Sequence, residues 1–173
     1  MHVTHGDMWN EIGVVDAVCI TTNLYIKKDK TSVMGKGCAR QARDRYPGIE
    51  RLVGLANDNM VGFSGVARLQ QDEGTWIVSF PVKPSIGFSD GTNVVSHQQF
   101  RFDSGSIVPG WAMKADLATI RRSAVQLAEL ADKQGWQNIV VPRPGCGAGE
   151  LDWGIVCEVL DEHLDDRFTI ITY

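Results

Sequence analysis

Two glycine-rich stretches, MGKGCARQA (34–42) and PGCGAGELDW (144–153), carry the residue types in this chain best suited to gripping a small ligand. Each presents backbone N–H groups just ahead of a helical pattern, where the unpaired donors and the helix dipole together favour an anion. Two such loops facing each other would cradle a diphosphate without a positively charged surface. Taken singly, either run also reads as a tight turn. Neither fits the commoner nucleotide fingerprints, because GKGCARQA lacks both the Walker A spacing and the third glycine of the dinucleotide motif.

The groups that could react lie in and beside these stretches. Glu150 and Asp152 could supply an acid, although an aspartate directly before an apolar periodic run equally suits a helix N-cap. Cys38 and Cys146 sit where a helix N-terminus depresses a thiol pKa, yet neither motif contains a histidine to activate them, and small residues are needed there for shape. His2, His5, His97 and His163 show no metal-ligand spacing, so no metal is expected, and no cofactor. Lys83, just past a strand-like run, reads by itself as an ordinary solvated lysine.

Alternating strands and helices must position these residues. VVDAVCITTN (14–23) suits a buried strand that delivers Asn23 to the carboxyl edge of a sheet. GKGCARQARDRYPG then reads as a glycine turn opening a helix that stops before Pro47. Strands are expected at about 62–70 and 75–80, the second closed by Pro81, and a long ordered loop or lid from 84 to about 110–112. Leu117, Ile120, Ala124, Leu127 and Ala131 recur at helical spacing, which predicts a helix over 115–134 ending before Gly135. The strand NIVVP, a helix over 153–164 and the strand RFTIITY complete an α/β sandwich with helices on both faces of a mixed sheet, and ligands bind such sheets beyond the carboxyl ends of the strands.

Composition narrows the partners. A chain of 173 residues that is 43% hydrophobic suits one domain, and a formal charge of −4 argues against broad electrostatic attachment to nucleic acid. Four dispersed cysteines and no signal-peptide pattern predict a reduced, cytoplasmic protein, and no apolar run is long enough to predict a membrane role. Arg40, Arg43 and Arg45 could touch a nucleic-acid backbone or form a solvated helix face. Phe88, His97, Phe100, Arg101 and Phe102 mix aromatic and basic residues as base-stacking surfaces do, or fold into a satellite core.

HGDMW, DAVCITTN, VMGKGCARQA, SFPVK and PRPGCGAGELDW, in this order, resemble the macrodomains, and among them the branch of DNA ADP-ribosyl glycohydrolase antitoxins and terminal ADP-ribose protein glycohydrolases. The resemblance covers most of the chain and weakens between about 84 and 112. It implies a single three-layer α/β/α domain over 1–173 with a mixed, mostly parallel sheet; the sequence leaves the oligomeric state open, with a monomer favoured. It implies ADP-ribose or an ADP-ribosylated substrate as partner, modified nucleic acid included, and hydrolysis of the ADP-ribosyl linkage. Phosphatase action on ADP-ribose 1''-phosphate, or ligand reading without turnover, are the alternatives.

Residue by residue, the resemblance assigns Asp7 to the adenine amino group, with the Met8 N–H on a ring nitrogen; Asp7 otherwise reads as a turn or cap residue. Asn23 would bond the distal ribose hydroxyls, as an amide that both donates and accepts can. Met34, Gly35, Gly37 and Cys38 correspond to the first phosphate loop, and Pro144, Gly145, Cys146, Gly147, Ala148, Gly149 and Glu150 to the second, where glycine admits close backbone approach. Lys83 falls on the family's functional lysine in FP-x-K, where an amine can attack ribose C1'' or stabilise developing charge. The sequence departs from the protein-directed enzyme in placing Gly149 near its aspartate, which leaves Glu150 and Asp152 as candidates for a second catalytic group.

Overall fold

The computed structural model describes residues 1–58 and 65–173. Its main sheet is built from β1 (His2–His5), β2 (Ala17–Asn23), β3 (Ala67–Asp72), β4 (Thr75–Lys83), β7 (Ile139–Pro142) and β8 (Phe168–Thr172), in the strand order β1-β8-β7-β2-β4-β3. Every pair is parallel except β3 with β4, so the sheet is mixed and mostly parallel, as expected. β2 reads as a continuous apolar and β-branched run because helices cover both of its faces.

Helices α1 (Gly37–Arg45) and α2 (Ile49–Asp58) cover one face, where Cys38, Ala42, Ile49 and Val53 pack on Val18, Ile20 and Ile77. Helices α3 (Leu117–Gln134) and α4 (Trp153–Asp161) cover the other, burying Ile120, Leu127, Val156 and Leu160 against Val78, Phe80 and Val141. The alternation of the strands sends neighbouring residues to opposite cores. α3 is bounded as its sequence prescribes. The Asp116 carboxylate accepts from Thr119 N at 2.9 Å, and Gly135 closes the helix in the left-handed conformation at φ 70°.

Several elements differ from the sequence expectations. β4 runs through Pro81 to Lys83. Its antiparallel partner has already ended at the Ala67–Ser79 pair, and its register with β2 shifts between Thr22 and Asn23, an irregularity that admits a residue without an N–H. β3 covers 67–72, while 62–64 of the expected strand lie outside the described residues. β1 and α2 carry no sequence expectation: β1 is four exposed residues without apolar alternation, whereas α2 had a usable signal in Ile49, Val53 and Ala56 after the Pro47-Gly48 break.

The 84–112 stretch is an ordered lid. It contains the antiparallel pair β5 (Ile86–Phe88) and β6 (Ile107–Pro109), a short 3-10 helix over Ser96–Arg101, and a small core of Val94, Val108, Ala112 and Met113. Phe102 and Trp111 pack on that core, while Phe88 and Phe100 face outward.

Candidate functional site

The carboxyl ends of β2, β4, β7 and β8 open into one cleft of about 640 Å³, roofed by the two glycine loops and the lid. Because the strands lie side by side, their last residues form a row. It runs from Tyr173 after β8, through Arg143 after β7 and Asn23 at the end of β2, to Lys83 at the end of β4.

On one wall, Gly35, Lys36 and Gly37 lead into α1. α3 and α4 each have an aspartate accepting from their first turn, but α1 has Lys36 at its cap position and no side-chain acceptor. Its N-terminal donors face the cleft ready for an anion. Cys38 is turned inward, its Sγ 3.1 Å from Thr21 Oγ1, and burial raises its thiol pKa. Asn23 is 7% exposed; its Nδ2 donates to Val33 O at 2.9 Å and its Oδ1 accepts from Tyr25 N at 3.1 Å. One N–H and one lone pair of the amide remain for a ligand.

On the opposite wall, the second loop divides its glycines between two tasks. Gly145 has φ 76°, and a Cβ on Gly149 would lie 2.5 Å from Gly145 O and 2.7 Å from Ala115 Cβ, so these two are fixed by backbone shape and packing. A Cβ at Gly35 or Gly147 would meet nothing within 4 Å and both line the cleft, as does Gly37, whose φ of 56° by itself favours glycine. Open space for close backbone approach is therefore found at Gly35 and Gly147. Burial pushes the Cys146 thiol up to about 11, which removes it as a thiolate nucleophile near neutral pH.

Lys83 is 9% exposed, and its Nζ donates to Ala148 O at 3.2 Å and Trp111 O at 3.4 Å. Desolvation lowers its pKa to about 8, with Glu150 pulling it up and Lys36 pushing it further down. Two carbonyls can engage both N–H groups of a neutral amine and leave its lone pair for the cleft. Glu150, at φ 61°, accepts from Ser96 N at 2.8 Å and Ser96 Oγ at 2.9 Å and lies 3.6 Å from Lys114 Nζ. Against the desolvation that would raise it, these partners hold its carboxyl below the usual range. Asp152 is exposed and outside the cleft lining, and its Oδ1 accepts from Ile155 N at 3.3 Å as the cap of α4.

No family model matches the chain, and no curated protein is significantly similar to it. Among solved structures, the macrodomain of Mycobacterium tuberculosis DarG is 22% identical with a TM-score of 0.65, over 99% of this chain and 97% of that one. The macrodomain of Thermus aquaticus DarG is 17% identical with a TM-score of 0.67, again over 99% and 97%. The chain has the macrodomain fold. Thermosipho africanus DarTG, solved in complex with ADP-ribose, is 18% identical with a TM-score of 0.66 over 98% of this chain, which spans 40% of that longer one.

The fold brings Asn23, Gly35, Gly37, Cys38, Lys83, Gly145, Cys146, Gly147, Ala148 and Gly149 together around the cleft. The side chains of Met8 and Met34 are buried in the core that α1 covers, which leaves the Met8 N–H expectation untouched, and Pro144 is buried behind its loop, with its carbonyl accepting from Cys146 Sγ. Asp7 follows β1, whose His5 pairs with Thr172, so it stands near the Tyr173 end of the row; its Oδ1 caps a 3-10 turn by accepting from Trp9 N at 3.0 Å. Glu150 is displaced from the main cleft into an adjoining polar one of about 480 Å³, shared with Lys36, Arg40 and His97.

Sequence reasoning passed over Thr22, Arg143, Trp111 and Tyr173 as lining residues. Arg143 stacks over Trp153 at 4.7 Å, and its Nε, like Thr22 Oγ1, is buried with no partner among the described residues. Their signal was position alone, at or just past strand ends. Among the described residues no three His, Cys, Asp or Glu side chains converge to hold a metal ion, and no helix is long and apolar enough to cross a membrane.

Proposed function

We propose that this protein binds ADP-ribose and hydrolyses an ADP-ribosyl linkage, with Lys83 as the reacting group. The observation that carries the reading is the buried Lys83 amine at one end of a cleft whose middle is the uncapped N-terminus of α1 facing the second glycine loop. The diphosphate lies against those main-chain donors. Adenine lies toward Tyr173 and Asp7, and Asn23 supplies its remaining N–H and lone pair to the distal ribose.

At C1'' the neutral Lys83 amine forms a C–N bond as the bond to the leaving group breaks, and the leaving group takes up a proton. Water then adds to C1'', the C–N bond breaks, and ADP-ribose and free lysine result. Asp152 serves α4 as its cap. The bound ADP-ribose of the Thermosipho africanus structure supports the choice of ligand.

Lys83→Ala tests the reading. Release of ADP-ribose should fall by about a hundredfold or more while affinity for ADP-ribose by calorimetry stays within a few-fold. If Lys83→Ala retains full turnover on ADP-ribosylated DNA, RNA, protein and ADP-ribose 1''-phosphate, the mechanism is wrong. Binding without any release by the wild type would make the protein a reader. The 1''-phosphate belongs in the panel for a specific reason: Lys36, Arg40 and His97 line the adjoining cleft and favour a phosphate there, against the Glu150 carboxylate on the same wall.

A further inference from the structure

If Lys83 is the reacting group, something must keep its amine out of water, and we infer that Glu150 does so as a positioning residue, clamping the lid to the second glycine loop. The inference rests on the reading of Lys83 given above. Three contacts define the clamp. Both Glu150 oxygens accept from Ser96, at the start of the lid's 3-10 helix, and Lys114, two residues past the lid, reaches the same carboxylate. The next residue, His97, meets the first glycine loop, its Nε2 3.0 Å from Lys36 Nζ. Two consecutive lid residues thus tie down both glycine loops.

Lys83 lies under this strap. Its two hydrogen-bond acceptors are Trp111 O, at the base of the lid, and Ala148 O, two residues before Glu150. Glu150 holds a left-handed backbone at φ 61°, which few residues with side chains adopt and which persists where surrounding contacts fix it. With its oxygens committed to Ser96 and Lys114, Glu150 holds the lid over Lys83, while its charge acts separately across space to favour the ammonium form. The charged groups facing Lys83 are Glu150 and Lys36, with His97 beside Lys36 and Lys114 on Glu150.

Two variants separate the clamp from the charge. Ser96→Pro deletes both donors to Glu150 and keeps the carboxylate. Val95 already has φ −61° and ψ 142°, the conformation a residue before proline adopts, and proline is tolerated at the first helical position. Glu150→Gln keeps an acceptor for Ser96 N and a donor for Ser96 Oγ but removes the charge.

The readouts are the Lys83 titration, followed by NMR with ¹³Cε-labelled lysine, and the pH profile of ADP-ribose release. In Ser96→Pro the amine becomes solvated and its titration moves up from about 8 toward the ordinary lysine value. Turnover at neutral pH falls with the neutral fraction of the amine, about tenfold for each pH unit by which the midpoint rises. In Glu150→Gln the titration and the inflexion of the pH profile both move down. A Ser96→Pro protein with unchanged titration and turnover overturns the clamp. Loss of turnover at every pH in Glu150→Gln also overturns it, because the carboxyl would then transfer a proton itself. If the titration responds as described and no variant, nor the wild type, releases ADP-ribose, the hydrolase reading fails and the clamp stands.

Discussion

Burial sets Lys83 against its own charge, and the conflict has a measurable sign. The folded amine titrates near 8 against 10.5 for an ordinary lysine, so between those pH values the unfolded chain binds a proton that the folded chain does not. Stability therefore rises with pH across that window, and below it the full desolvation cost is present. Lys83→Met removes the titration, so the stability difference between variant and wild type should change from pH 8 to 10.5 in favour of the wild type and stay flat below; urea unfolding at a series of pH values measures it. The glycines make a second contrast. Gly149→Ala places a methyl against Gly145 O and Ala115 and should cost about 1–3 kcal/mol, whereas Gly147→Ala should change stability by less than about 0.5 kcal/mol and weaken ADP-ribose binding. Thermal unfolding and calorimetry on the pair separate the packing glycine from the ligand-facing one.

At the scale of elements, the helix N-termini show which ends are structural and which are for use. Asp116 and Asp152 satisfy the first turns of α3 and α4, while α1 presents its first turn to the cleft without a side-chain cap. Asp152→Ala should destabilise the fold by about 1 kcal/mol, and Asp152→Asn, an equally good cap, should restore it. Turnover by Asp152→Asn at the wild-type rate accords with capping. A collapse of turnover in a stably folded Asp152→Asn would give Asp152 a chemical role.

For the whole molecule, the proposed reading requires a chain of net charge −4 to hold a diphosphate locally, through backbone donors at one end of a sheet. Main-chain donors at a half-enclosed site release few counterions. Affinity for ADP-ribose should then change by no more than about twofold between roughly 0.05 and 0.2 M salt, where full side-chain neutralisation of two phosphate charges would lose about tenfold. Calorimetry across that range decides it. A steep dependence would mean that Lys36, Arg40 and Arg143 supply most of the grip.

The sequence by itself determined the order β2, α1, β3, β4, α3, β7, α4, β8, the two glycine loops and the covered faces of the sheet, because these follow from apolar period, capping residues and glycine placement, all local in the chain. It also marked Asn23, since a residue at the end of a buried parallel strand stands at the edge where ligands bind, whereas Lys83, expected beyond a strand closed by Pro81, stood out only through the family resemblance. β1 was illegible because four exposed residues paired on one side need no apolar alternation, and β4 outran Pro81 because its partner had ended there. The division of labour between Gly149 and Gly147 depends on Ala115, which is distant in sequence. The partners of Glu150 are Ser96 and Lys114, 54 and 36 positions away, so no local pattern shows that this carboxylate bonds the lid. What tertiary structure alone decided was solvation and partner choice, because both depend on which distant segments close over a group, and no local pattern encodes that.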